Sequence, residues 1–144
     1  EEGIMEYRVF GNHYIVRIDR GEEVLACLEK LCRDEQITAG SAVGLGATDR
    51  VIIGLFDTAG KIYKKKELTG PMEITSLVGN ISTKDGEPYL HFHINVCDEE
   101  NRVMGGHLNQ CNISATCEIT VTRIEGCVER KMSEEIGLNL YRFQ

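Results

Sequence analysis

The chain has 144 residues, enough for a real hydrophobic core, and we expect one domain over residues 1–144. Its formal net charge of −7 argues against direct binding of nucleic acid by this chain alone, because such binding depends on Lys and Arg neutralising phosphates. Because no apolar run reaches the ~18 residues of a membrane span and the N-terminus lacks a basic-then-apolar signal pattern, we expect a cytoplasmic protein.

The first part of the chain predicts a short hairpin followed by one helix. Residues 6–18 alternate like two strands around a tight turn at Gly11-Asn12. Apolar residues then recur at spacings of three and four, which predicts an amphipathic helix over roughly residues 21–35. Asp19 is the candidate cap of this helix.

The rest of the chain alternates like β-structure, with Gly, Asp and Asn between the runs. We expect strands near residues 38–48, 50–57, 61–67, 71–82, 88–97, 103–109 and 112–124. Short connections favour antiparallel pairing, so the predicted fold class is α+β, a largely antiparallel sheet with one main helix. One helix cannot cover both faces of so many strands, and part of the sheet must meet another sheet layer or another subunit.

Six cysteines are scattered along the chain without a C-x-x-C pair, which leaves a zinc ribbon or a thioredoxin-like motif unsupported. They are Cys27, Cys32, Cys97, Cys111, Cys117 and Cys127. With no signal for an oxidising compartment, we expect buried free thiols rather than disulfides.

Three of the four histidines lie in "YLHFHINVCDEENRVMGGHL", residues 89–108. Alternation along a strand places His91 and His93 on one face, while Phe92 and its apolar neighbours face the core. A three-residue loop at 99–101 would then place His93 directly opposite His107 on the next strand, with His91 diagonal to it. Slipping the register by one residue would turn His107 into the core, so the apolar pattern selects the register that gathers the imidazoles.

Three neutral imidazoles on one rigid patch are suited to a divalent transition metal, most simply zinc, which takes histidine nitrogens at ~2.0–2.1 Å. We therefore predict a metal site formed by His91, His93 and His107. The alternative is three half-exposed polar residues that bind no ligand. Asn95 and Asn109 lie on the same face and are candidates to fix the imidazole tautomers by hydrogen bonds.

The histidine segment resembles the H-x-H…G-G-H-L signature of the plants-and-prokaryotes-conserved (PPC) domain. "GSAVGLGATDRVIIGLFD" is similar to the glycine-bearing strand pair of that family, and "GPMEITSLVGNIS" to its G-R-F-E-I-L-S-L-S-G segment, with Pro71 and Met72 in place of Arg-Phe. The likeness extends from about Tyr7 to Thr122.

The resemblance implies an α+β fold assembled as a homotrimer. It also implies that the three histidines face a cleft at a subunit boundary, where prokaryotic members can hold zinc. In plants an R-G-R-P AT-hook before the domain carries the DNA binding, and this sequence has no R-G-R-P. The DNA-binding label of the family is therefore doubtful for this acidic chain.

Three functions remain open from the sequence. The first is a trimeric metal-binding module with a regulatory or interaction role. The second is a zinc-dependent hydrolase or lyase acting on a small anionic metabolite, with Glu73 as the candidate general base, because an acid in an apolar-flanked strand is costly unless it is paired or used. A purely structural carboxylate is an equal alternative for Glu73. The third, a transcription factor that binds DNA directly, has the weakest support.

Overall fold

The computed structural model describes residues 5–143, so residues 1–4 and 144 of the predicted single domain lie outside the described residues. Within residues 5–143 the chain forms one α-helix and eight strands. They are β1 (Glu6–Phe10), β2 (His13–Asp19), α1 (Val24–Glu35), β3 (Gly40–Asp57), β4 (Ile62–Lys84), β5 (Glu87–Cys97), β6 (Val103–Arg123), β7 (Glu129–Ser133) and β8 (Leu138–Arg142). The pairing is antiparallel except for one bridge between β4 and β7, so the predicted α+β class is confirmed.

Strands β3, β4 and β6 are each continuous where the sequence predicted two shorter strands. The β3–β4 register shifts between Gly44 and Gly46 and again between Thr48 and Arg50. Such bulges bend a strand and increase its twist without ending it. In β4 the predicted break is absorbed at Gly70, whose φ of 103° suits glycine.

The four central strands pair in a closed cycle. β3 pairs with β4 and β6, and β5 also pairs with β4 and β6. β2 extends the sheet beyond β6, and β1 extends it beyond β2. The inward side chains of these strands form the core with one face of α1, where Phe92, Leu28 and Leu31 are completely buried.

Helix α1 begins later than predicted, and Asp19 is not its cap. The cap is Glu23, whose carboxylate accepts the backbone N–H groups of Leu25 and Ala26. The same carboxylate also accepts the N–H of Cys111 on β6, which ties the start of the helix to the sheet. Asp19 is instead the last residue of β2. No helix within residues 5–143 is both long and apolar enough to cross a membrane.

The β7–β8 hairpin has no counterpart among the predicted strands. It is fixed to the β4–β5 turn by Glu129, whose carboxylate accepts the hydroxyl of Thr83 and the N–H groups of Asp85 and Gly86. These hydrogen bonds, that from Thr83 foremost, lower the pKa of Glu129. The hairpin also contacts β5, because Arg130 stacks over the ring of Tyr89.

All six cysteines are free thiols, as expected, but only Cys32, Cys111 and Cys117 are fully buried. Burial raises the pKa of Cys32 and Cys117 to about 12 and that of Cys111 to about 11. These three thiols stay protonated at neutral pH and are therefore poor nucleophiles and poor metal ligands.

Candidate metal centre

The β5–β6 hairpin has the register that the sequence predicts. His93 lies directly opposite His107. The N–H of Asp98 donates to the carbonyl of Arg102, and the N–H of Asn101 donates back to the carbonyl of Asp98, each at 3.0 Å. Asn101 adopts a φ of 62°, a left-handed conformation that asparagine tolerates. The turn chemistry thus fixes which residues of the two strands face each other.

The two glycines of β6 let three strands approach closely, and no register shift occurs at them. A Cβ on Gly105 would lie 2.4 Å from the carbonyl oxygen of Ile94 on β5. A Cβ on Gly106 would lie 2.8 Å from the carbonyl oxygen of Gly54 on β3. Any larger residue would push β6 away from its neighbours at the position next to His107.

The three histidines form one cluster on the outer face of the sheet. Ring centroids are 5.1 Å apart for His91 and His93, 5.3 Å for His91 and His107, and 5.8 Å for His93 and His107. One nitrogen from each ring lies within 4.8 Å of the others. Nitrogens at ~2.0–2.1 Å from a tetrahedral zinc ion are ~3.4 Å apart, so modest side-chain rotations fit this donor set to the ion.

Burial and the neighbouring rings keep His91 and His107 in the neutral form, which is the form of histidine that can bind a metal. Burial, then the neighbouring imidazoles, lowers the pKa of His91 and His107 below the usual value for histidine. Their rings are therefore neutral at physiological pH and present a free nitrogen lone pair. His93 is exposed, and the fourth histidine, His13, lies apart on β2.

A cleft of about 670 Å³ opens beside the cluster, a volume typical of sites for small molecules. Strand β5 and the start of β6 form one wall, the outer residues of β3 and β4 another, and the β7–β8 hairpin a third. Besides the histidines, its polar lining consists of Tyr63, Lys65, Tyr89, Asn109, Arg130 and Asn139.

The two predicted asparagines do not hold the imidazoles. Asn95 donates to the hydroxyl of Ser76 at 3.3 Å. Asn109 donates to the hydroxyl of Tyr63 at 2.6 Å and to the backbone carbonyl of His107. Within residues 5–143 neither amide bonds to a histidine ring, so the predicted tautomer role is wrong. Asn109 instead fixes Tyr63, whose ring meets His107 edge-on at 5.9 Å.

The structure does not bring Glu73 to the histidines. It lies opposite Cys97, four residues along β5 from His93 and so ~13 Å away. Glu73 lines a separate pocket with Pro71 and Glu99. It is also exposed, which removes the premise that an acid here must be paired or used.

The model of a protein family, described as the Plants and Prokaryotes Conserved (PCC) domain and also abbreviated PPC, matches residues 5–125. The chain belongs to the PPC family. No curated protein matches this PPC chain. The match to the family ends before β7, so the hairpin wall of the cleft lies beyond it.

Solved structures agree with the PPC fold over nearly the whole chain. A "putative DNA binding protein" from Bacteroides thetaiotaomicron is 32% identical, with 98% of this chain and 99% of that chain covered and a TM-score of 0.95. A metal-containing protein from Archaeoglobus fulgidus is 34% identical, with 97% and 99% covered and a TM-score of 0.86. A PPC protein from Pyrococcus horikoshii is 33% identical, with 100% and 98% covered and a TM-score of 0.84.

Three residues that line the cleft were not singled out from the PPC sequence. Tyr89 continues the alternation of His91 and His93 on β5, so its parity was a usable signal. Tyr63 lies at the end of β4 that is far from the β4–β5 turn, and Arg130 lies on β7, which pairs with β4 and β8. The local sequence pattern therefore does not show that either side chain lies beside the histidines.

Proposed function

We propose that this PPC protein is a homotrimeric module that binds a divalent metal ion, most simply zinc, through His91, His93 and His107, and that it has a regulatory or interaction role. The observation that carries the proposal is the convergence of three imidazole nitrogens within 4.8 Å at the mouth of a cleft. A PPC relative at 34% identity is called a metal-containing protein, which supports a metal here. The six free thiols support a cytoplasmic location.

A zinc ion held by three imidazoles supplies a Lewis acid with one open coordination position. The protein's own residues determine what reaches that position. His93 turns an exposed ring toward solvent, and the cleft opens beside it. Lys65 and Arg130 add positive charge to the cleft, which favours anions there.

Trimer formation is proposed because apolar side chains on the outer face remain uncovered. Val43, Leu45 and Val78 are 62%, 55% and 53% exposed. Val43 lies opposite Val78 on the paired strand, and Val78 lies opposite His93. An apolar patch continuous with the histidine row is the kind of surface that a subunit contact buries.

The test is metal analysis of freshly purified protein together with its native mass. We expect the double variant His91→Ala/His93→Ala to lose the metal and to keep the trimer. The matched control is His13→Ala, which removes a histidine outside the cluster and should keep the metal. Equal metal content in the double variant and the wild type would refute the metal proposal. A monomeric mass would refute the trimer.

Direct DNA binding is not part of the proposal. The Bacteroides relative carries a DNA-binding name, but this chain has a net charge of −7, which repels a phosphate backbone. A gel-shift assay at low ionic strength is the check. A shift that weakens steeply with added salt would restore the DNA-binding reading.

A second candidate function is a zinc-dependent hydrolase or lyase acting on a small anionic metabolite. The cleft of about 670 Å³ beside the histidines is the observation that favours it. Tyr63, packed against His107, replaces Glu73 as the protonatable side chain at the site. Turnover of small esters that chelator abolishes, and that His91→Ala/His93→Ala lacks, would support this function.

A further inference from the structure

Arg130 is a buried cation that has no partner carboxylate among the residues the structure describes. Its side chain lies on β7, and the residue is only 8% exposed. No ion pair within residues 5–143 involves it. Buried charges in proteins are as a rule paired with an opposite charge, because removing an unpaired charge from water is costly.

The guanidinium group is nevertheless held rigidly. Its Nε donates to the hydroxyl of Ser82 at 2.7 Å, and its Nη1 donates to the carbonyl of Asn139 at 3.0 Å. The carbon Cζ lies 4.7 Å from the ring centroid of Tyr89 and 4.3 Å from that of Tyr141. Of the five N–H donors of an arginine, these two bonds use two, and three remain.

The group lines the same cleft as the histidines. Tyr89, over which Arg130 stacks, precedes His91 by two residues on one face of β5, a separation of ~6.6 Å. Asn139 lines the cleft beside it, and its buried side-chain oxygen has no hydrogen-bond partner in the described part of the chain. Spare donors and an unused acceptor thus occupy one end of the cleft, and the imidazoles occupy the other.

We propose that Arg130 is the anion-binding residue of this cleft and takes the carboxylate or phosphate group of a small metabolite. A planar guanidinium with free N–H groups matches either oxyanion. The other end of the ligand lies at the three histidines, and only this placement rests on the proposed metal site. The cleft volume of about 670 Å³ suits a small metabolite.

The first experiment uses wild-type protein stripped of metal with chelator, so that the histidines do not contribute. Inorganic phosphate and succinate are titrated in separate samples while NMR follows the Arg130 Nε–H signal, which the bond to Ser82 protects from exchange. We expect a saturable shift of this signal with at least one anion, and the two arms distinguish phosphate from carboxylate. No saturable shift with either anion would overturn the proposal.

Variants then assign the contact. Arg130→Gln should weaken anion binding about 10- to 100-fold, because a charge-assisted pair is lost. Arg130→Lys keeps the charge but not the fork of donors, and should give a smaller loss. Arg142→Gln on β8 removes a positive charge from an exposed position of the same hairpin, and is the matched control with unchanged binding.

The outcomes separate this proposal from the proposed function. If purified protein holds no metal but the Arg130 signal still responds to anions, the metal proposal fails and the anion site stands. If the purified protein holds metal but the Arg130 signal does not respond to anions, the metal proposal stands and the anion site fails. A change of native mass in Arg130→Gln without any response to anions would show that a second copy of the chain supplies the counter-charge, which also overturns the anion site.

Discussion

Replacing Gly105 with alanine tests whether close contact between β5 and β6 forms the histidine cluster. The added Cβ would lie 2.4 Å from the carbonyl oxygen of Ile94, and since real contacts of this kind stay above 3.0 Å, the strands must separate by about 0.6 Å or more. The Cβ would also meet the side-chain oxygen of Asn95, which can move by a rotamer change, but the clash with the Ile94 backbone cannot be relieved in that way. Overpacking of this size costs ~1–3 kcal/mol, which lowers Tm by about 3–10 °C in a chain of this length.

This displacement of the strands lies next to His93 and His107, which face each other across the hairpin. We therefore expect metal affinity to fall by about ten-fold or more, the usual effect of disturbing the support of a metal ligand. Thermal unfolding and competition with a chromophoric chelator measure the two effects. The control is Gly60→Ala in the β3–β4 turn, where a Cβ meets its nearest atoms at 3.4 Å. If Gly105→Ala matched Gly60→Ala in both assays, close packing would not be what gathers the imidazoles.

Three further predictions follow from single contacts. Because burial and neighbouring imidazoles lower the pKa of His91 and His107, the unfolded chain takes up protons first as pH falls through ~6.5. Urea unfolding of metal-free protein should therefore give a lower free energy of unfolding below that pH, with a smaller drop in His91→Gln; an equal drop would contradict the assignment. Glu23→Ala removes the helix cap and the acceptor for the Cys111 N–H, and should cost ~2 kcal/mol in the same assay, whereas Glu23→Gln should cost less. Asp98→Ala removes the acceptor of two backbone N–H groups in the hairpin turn and should cost ~1–2 kcal/mol, with no change in metal content if the register survives.

The sequence predicted the histidine hairpin because two local requirements agreed. The alternation of Phe92 and its neighbours fixed the face, and the length of the loop at 99–101 fixed the register. Each requirement involves residues close together in the chain, which is where pattern is informative. Glu73 failed because its burial was inferred from flanking apolar residues, whereas those neighbours face inward and the acid faces out.

The alternation of apolar residues could not predict that β3, β4 and β6 are each one continuous strand. Gly70 and the bulges near Gly44 and Thr48 look in the sequence like strand ends. The reason is that the same residue types, glycine above all, occur where a strand bends and where it ends. The difference lies in whether a neighbouring strand continues across the irregularity. β3 is paired on both sides by β4 and β6, so its hydrogen bonds continue past each bulge and the strand does not stop.

The continuous long strands bring residues that are distant in the sequence together in the cleft. Long bent strands bring Tyr63 from β4 against His107 on β6, and the β4–β5 turn anchors the hairpin that carries Arg130. No short segment contains the site, because its histidines, tyrosine and arginine are separated by up to 67 positions along the chain. The three histidines come from one hairpin and are therefore predictable, whereas Tyr63 and Arg130 come from β4 and β7 and are not. In this PPC chain, alternation and loop length locate the three histidines, but only the pairing of distant strands determines which side chains lie beside them.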